Sequence, residues 1–117
     1  KAKVGTFGED VAASFLSKKG YKILQRNFKA RYGELDIIAI HNKTLVFIEV
    51  KTRAGLDFGH PSTAITRSKQ KKIALLAKIF LARHKILRRD CRFDVVSVIV
   101  SPNSAPVVEL LQDAFRA

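Results

Sequence analysis

The sequence of 117 residues has no Met, no Trp, one Cys, three Pro and six Gly. Its lone Cys91 cannot close an intrachain disulfide, and there is no second thiol for a Cys-rich zinc cage, which fits a reducing, cytoplasmic setting. No stretch approaches the roughly 18 uninterrupted apolar residues of a membrane span, so no membrane partner is expected. The opening residues show no charged leader followed by an apolar signal region. Walker A and dinucleotide-binding glycine patterns are missing, which argues against a nucleotide cofactor. The three histidines, His41, His60 and His84, lack zinc-site spacing, and His84 reads as a partly buried member of an apolar helix stripe. Acidic residues are also few: 10 Asp or Glu against 22 Lys or Arg, a formal net charge of +12.

What is present suffices for a core. Hydrophobic residues make up 47% and aromatics 9%, and the length fits one folded domain over residues 1–117. The positive charge is concentrated. From Arg67 to Arg92 the sequence carries Arg67, Lys69, Lys71, Lys72, Lys78, Arg83, Lys85, Arg88, Arg89 and Arg92 against Asp90 alone. Such a segment fits a polyanion and resembles an electrostatic footprint for nucleic acid. A solvated helix face explains the same run, and an anionic membrane surface explains it less well without Trp.

Hydrophobic spacing predicts a helix over about 6–19, with Phe7, Val11 and Phe15 four apart, a Thr6–Glu9 capping box and a stop at Gly20. Strands are predicted over 21–28, 35–40 and 44–52, able to form a meander. In the third, Val46, Ile48 and Val50 alternate with Leu45, Phe47, Glu49 and Lys51. Residues 53–61 read as a functional-length loop, 68–84 as the longest helix and 93–100 as a strand; residues 107–115 suit a strand, a helix or both. The fold class is therefore α/β, with an αβββαβ order and a central mixed sheet flanked by helices.

Three of the ten acids, Glu34, Asp36 and Glu49, lie in or beside the two most apolar strands. A carboxylate there is costly unless paired or bound to a cation. Alternation puts Glu34 and Asp36 on one face of the second strand, and Glu49 and Lys51 on one face of the third. On adjacent strands, Asp36 and Glu49 could converge as oxygen ligands for magnesium, with manganese as a substitute. Lys51 would then orient a water or offset charge on a phosphate. A plain cross-strand salt bridge among Asp36, Glu49 and Lys51 is the alternative. Asp94 reads as structural, paired with Arg92 or the strand edge.

Asp36 followed by Glu49-Val50-Lys51 resembles the motif of the PD-(D/E)XK nuclease superfamily, whose restriction-endonuclease-like core has the same αβββαβ order. Gly8-Glu9, Gly20-Tyr21, residues 33–39 (GELDIIA), residues 47–53 (FIEVKTR), Phe58-Gly59, Lys69-Gln70 and residues 92–96 (RFDVV) resemble the YraN family of bacterial proteins, related to archaeal Holliday-junction resolvases. The resemblance implies a magnesium-dependent endonuclease acting on DNA, with branched or structured DNA as the first substrate. Asp36, Glu49 and Lys51 would be catalytic, and Asp36, Glu49, Glu9 and the Val50 carbonyl would hold the metal. Gln70 matches a polar residue that approaches the site in that superfamily, and the resemblance is compatible with a homodimer; Arg53, which continues the lysine strand into the loop, and Lys69 and Lys72 of the basic run are the other expected substrate contacts. Glu9 has its capping box as a competing role, and Arg53 could be an ordinary surface arginine. Glu34 and His60 receive no role. Two other classes stay open: a non-catalytic nucleic-acid-binding protein that retains the nuclease fold, and a basic protein of RNA or ribosome assembly.

Overall fold

The structure, a computed structural model, describes residues 3–54 and 63–117. Its elements are α1 (Lys3–Lys18), β1 (Lys22–Ala30), β2 (Gly33–His41), β3 (Thr44–Ala54), α2 (Arg67–Arg83), β4 (Cys91–Val100) and β5 (Val107–Leu111). The expected αβββαβ order is present, and a fifth strand extends it. The sheet runs β1-β2-β3-β4-β5. β1, β2 and β3 form the antiparallel meander, β4 lies parallel to β3, and β5 returns antiparallel to β4. Parallel neighbours need a crossover connection, and α2 supplies it. No helix among the described residues is long and apolar enough to cross a membrane.

Each sheet face is covered by one helix. Ala12 and Leu16 of α1 pack with Ile37, Ala39, Val46, Ile48, Val96 and Val98. On the other face Ile73, Leu76, Ala77 and Phe80 of α2 pack with Leu35, Ile38, Leu45, Phe47 and Phe93. β3 therefore alternates as its sequence predicts. His84, expected in the buried stripe of α2, is instead exposed at the helix end, its ring 4.2 Å from that of Phe80. After β5 the chain turns back, and Phe115 stacks on Phe93 at 4.8 Å.

α1 corrects one expectation. It begins at Lys3, so Thr6 lies inside the helix and cannot form an N-terminal capping box with Glu9. In the sequence Val4 continues the Phe7–Val11–Phe15 spacing backward, which favours the longer helix. The predicted stop is present: Gly20 has φ 92°, Tyr21 N–H donates to Leu16 O at 3.0 Å and Gly20 N–H to Ser17 O at 3.1 Å, a Schellman closure. At the other end, Gly8 lets α1 approach β3 closely. A Cβ on Gly8 would lie 2.8 Å from Thr52 Cβ and closer still to its hydroxyl and methyl. Gly8→Ala is therefore expected to cost about 1–3 kcal/mol through overpacking, read by urea denaturation; an unchanged midpoint would show that α1 has room to shift.

Past the end of α1 lies a buried polar network. Asp94, only 1% exposed, accepts hydrogen bonds from Tyr21 OH (2.6 Å), Arg92 Nε (2.9 Å), Arg92 Nη2 (3.0 Å) and Asp113 N–H (2.9 Å). Arg92 Nη2 also reaches His41 Nδ1 at 3.1 Å, and the Tyr21 and His41 rings stack at 4.2 Å. Burial and the Asp94 bond push the Tyr21 hydroxyl up to about 12. The Asp94–Arg92 pairing expected from the sequence is present.

Candidate metal centre

The site begins where a backbone ladder ends. β2 and β3 pair from His41↔Thr44 to Ile37↔Ile48, so Asp36 and Glu49 stand just where the strands part. The Val50 N–H, turned toward β2, donates to Asp36 Oδ2 at 2.7 Å. Side-chain alternation slips at the same place, since Leu35 and Ile38 pack toward α2 while Ile37 and Ala39 pack toward α1. Strict alternation therefore does not describe this end of β2. Its irregularity puts Asp36 within reach of groups on both faces.

Toward α1, carboxylate oxygens of Glu9, Glu34 and Asp36 lie within 4.8 Å of one another, the one such group of potential ligands among the described residues. Toward α2, Asp36 faces Glu49 closely enough for a hydrogen bond between the two carboxyl groups. Burial, and then the Glu49 carboxylate, raise Asp36 from an ordinary 3.8 to about 7, against the opposing pull of the Val50 N–H and Lys69. Glu9 is raised as well, first by burial and then by Asp36 and Glu34. This repulsion is what a divalent cation would remove, and an all-oxygen donor set suits magnesium or manganese. The residues present therefore fit such an ion.

Basic and amide groups frame the acids. Lys69 Nζ lies 3.4 Å from Glu49 Oε2, which ties the start of α2 to β3. Lys51 Nζ donates to Ala64 O at 2.6 Å, and Gln70 Nε2 to Ile65 O at 3.0 Å, so both hold the segment that enters α2. The exposed Lys72 runs its aliphatic chain beside Gly33, and Arg53 is half-buried on β3. Of the expected metal ligands, Asp36 meets both Glu9 and Glu49, while Val50 engages the site through its N–H. Phe58-Gly59 and His60 fall outside the described residues, as does most of the predicted loop.

Sequence reasoning missed two contributors. Asn27, at φ 56° in β1 and opposite Asp36, can donate its amide nitrogen to Glu9 at 3.1 Å and Glu34 at 2.7 Å. Asn tolerates the left-handed conformation, but in a strand as polar as β1 (KILQRNFKA) it carries no distinguishing signal. Arg26 binds Asp10 at 2.7 Å and stands 4.0 Å from Glu9, a contact set by how α1 lies across β1. Glu34, given no role from the sequence, belongs to the three-carboxylate group.

The family model described as uncharacterised protein family UPF0102 matches residues 8–98, a span holding every carboxylate of the site. A UPF0102 protein of Caldanaerobacter subterraneus subsp. tengcongensis is 46% identical over 102 residues, which cover 87% of this chain and 84% of that protein. One from Symbiobacterium thermophilum is 46% identical over 115 residues, 98% of each chain. Another, from Prosthecochloris aestuarii, is 52% identical over 96 residues, 82% of this chain and 76% of the relative.

Proposed function

The chain belongs to the uncharacterised protein family UPF0102, that of YraN, and from the chemistry of its site we propose that it is a divalent-cation-dependent endonuclease hydrolysing phosphodiester bonds of DNA. The meeting of Asp36 with Glu49 on one side and with Glu9 and Glu34 on the other carries this reading. Asp36 would be the central ligand for magnesium, joined by Glu49 on one side and by Glu9 and Glu34 on the other, with manganese able to substitute. An ion held there would supply positive charge to phosphoryl oxygens and make a nearby water easier to deprotonate.

The chain's own groups do the rest. The Val50 N–H fixes the Asp36 carboxylate, and Lys69 holds Glu49, so neither must reorganise when a phosphate arrives. Lys51 follows Glu49 by two positions, and its ammonium can leave the Ala64 carbonyl to donate to the attacking water or to a non-bridging phosphate oxygen. The basic face of α2 and Arg53 hold the flanking backbone. These roles support reading the chain as a nuclease of the PD-(D/E)XK type, working on structured DNA.

Labelled linear, flapped and four-way DNA incubated with magnesium tests the reading. Cleavage should require the cation, stop with EDTA and fall about 100-fold or more in Lys51→Ala. An inactive parent on every substrate, or a variant that cuts equally well, would sink it. Steeply salt-dependent binding without cutting would instead identify a non-catalytic DNA-binding protein.

A further inference from the structure

We infer that the tip of the β1–β2 hairpin is a stacking platform for an unpaired base, so that the site takes DNA with single-stranded character beside the scissile phosphate. The inference rests on the nuclease reading above and names the substrate class of that same site. Of the two tyrosines, Tyr21 is buried in the polar network, whereas Tyr32 is 52% exposed at the turn joining β1 to β2. Among the described residues Phe7 is the other exposed aromatic, but it lies with Val11, Phe15, Pro106 and Val108 in an apolar groove between α1 and β5. Tyr32 therefore stands apart as a half-exposed aromatic ring two positions before Glu34.

Its surroundings fit nucleic acid. The Arg31 guanidinium lies 5.5 Å from the Tyr32 ring centroid, and Lys29 and Lys72 are exposed nearby. The tip is braced as well: Gly33, at φ 147°, is seated so that a Cβ there would touch Lys72 and Leu76 side chains of α2 at 3.4 and 3.5 Å. Gly33 alone separates Tyr32 from Glu34, so their Cα atoms lie at most about 7 Å apart, a reach of about one or two nucleotides. Cations beside an exposed ring, held at that distance from the carboxylates, match the combination by which proteins grip single strands: charge for the backbone and an aromatic face for the base. In a continuous duplex the bases are stacked on each other and leave Tyr32 without a partner.

Binding of a single-stranded oligonucleotide and of its paired duplex, each carrying the fluorescent base 2-aminopurine, provides the test in EDTA and in calcium. The parent should prefer the single strand and change the fluorescence of the probe base. Tyr32→Ala should lose about tenfold of single-strand affinity and the fluorescence change, keep its duplex affinity, and retain the parent's melting behaviour. Tyr32→Phe should restore the preference, because stacking needs the ring and not the hydroxyl. A parent that binds and cuts DNA while Tyr32→Ala binds both probes as the parent does overturns the stacking role alone. A parent that binds neither probe overturns it together with the nuclease reading.

Discussion

Asp36→Asn is expected to abolish cation-dependent DNA cleavage, by at least about 100-fold, while making the folded protein more stable at neutral pH. Asn keeps the shape of the site: its carbonyl can accept the Val50 N–H and its amide can face Glu49 as the protonated acid does. It removes one of four crowded carboxylates. In the parent, folded Asp36 keeps its proton up to about pH 7, whereas the unfolded chain releases it near 3.8. The folded state thus binds more protons between those values, and stability falls as pH rises through that window and levels off above it. The loss is on the order of 4 kcal/mol at most. Urea denaturation of parent and variant from pH 4 to 8 should show this slope in the parent and a flatter profile in Asp36→Asn. Magnesium or manganese should raise the parent's melting temperature at neutral pH and the variant's much less. A variant that is less stable than the parent at pH 8, or that cuts DNA normally, would show that Asp36 is not the strained acid of this site.

The largest loss of stability is expected at Asp94, outside the candidate site. Asp94→Ala removes the acceptor for four hydrogen bonds and leaves the partly buried Arg92 guanidinium and the buried Tyr21 hydroxyl without it. Breaking a buried ion pair from one side costs about 3–5 kcal/mol, and the partial exposure of Arg92 puts the expected loss at the lower end, about 3 kcal/mol. Tyr21→Phe, which leaves the Asp94–Arg92 pair intact, should cost closer to 1 kcal/mol. Since the network lies at the far end of α1 from Glu9, cleavage per folded molecule in the cold should be retained in Asp94→Ala. A loss below about 1 kcal/mol would mean that water enters and satisfies Arg92.

β3 and α2 were legible because each carries a single unambiguous period, alternation in residues 44–52 and apolar residues three and four apart between Ile73 and Phe80, whereas β2 was legible as a short, almost continuous apolar run. Residues 107–115 fit two periods, and the choice fell to pairing with β4 and to the Phe93–Phe115 stack, neither of which is local. Asp36 and Glu49 could be picked out because carboxylates in apolar strands lack an ordinary explanation. Asn27 could not, since its role depends on a left-handed residue in β1 that places it opposite Asp36. Lys69, read as a phosphate contact, is held by Glu49, a pairing fixed by how α2 sits on the sheet. The Thr6–Glu9 box was legible but misleading: the spacing exists, and the longer helix overrides it.

The parallel seam between β3 and β4 also imposes an order in time. The two hairpins of the meander have short connections and can form in about 1–10 μs, which brings Asp36 against Glu49 early. The seam must wait for the chain between Ala54 and Cys91 to close and for α2 to dock. Until then Glu49 is without Lys69, so the nascent sheet carries two crowded acids before their partner from α2 arrives to temper them. Low pH or a divalent cation is therefore expected to speed the early meander, and refolding should be slowest in metal-free, alkaline solution.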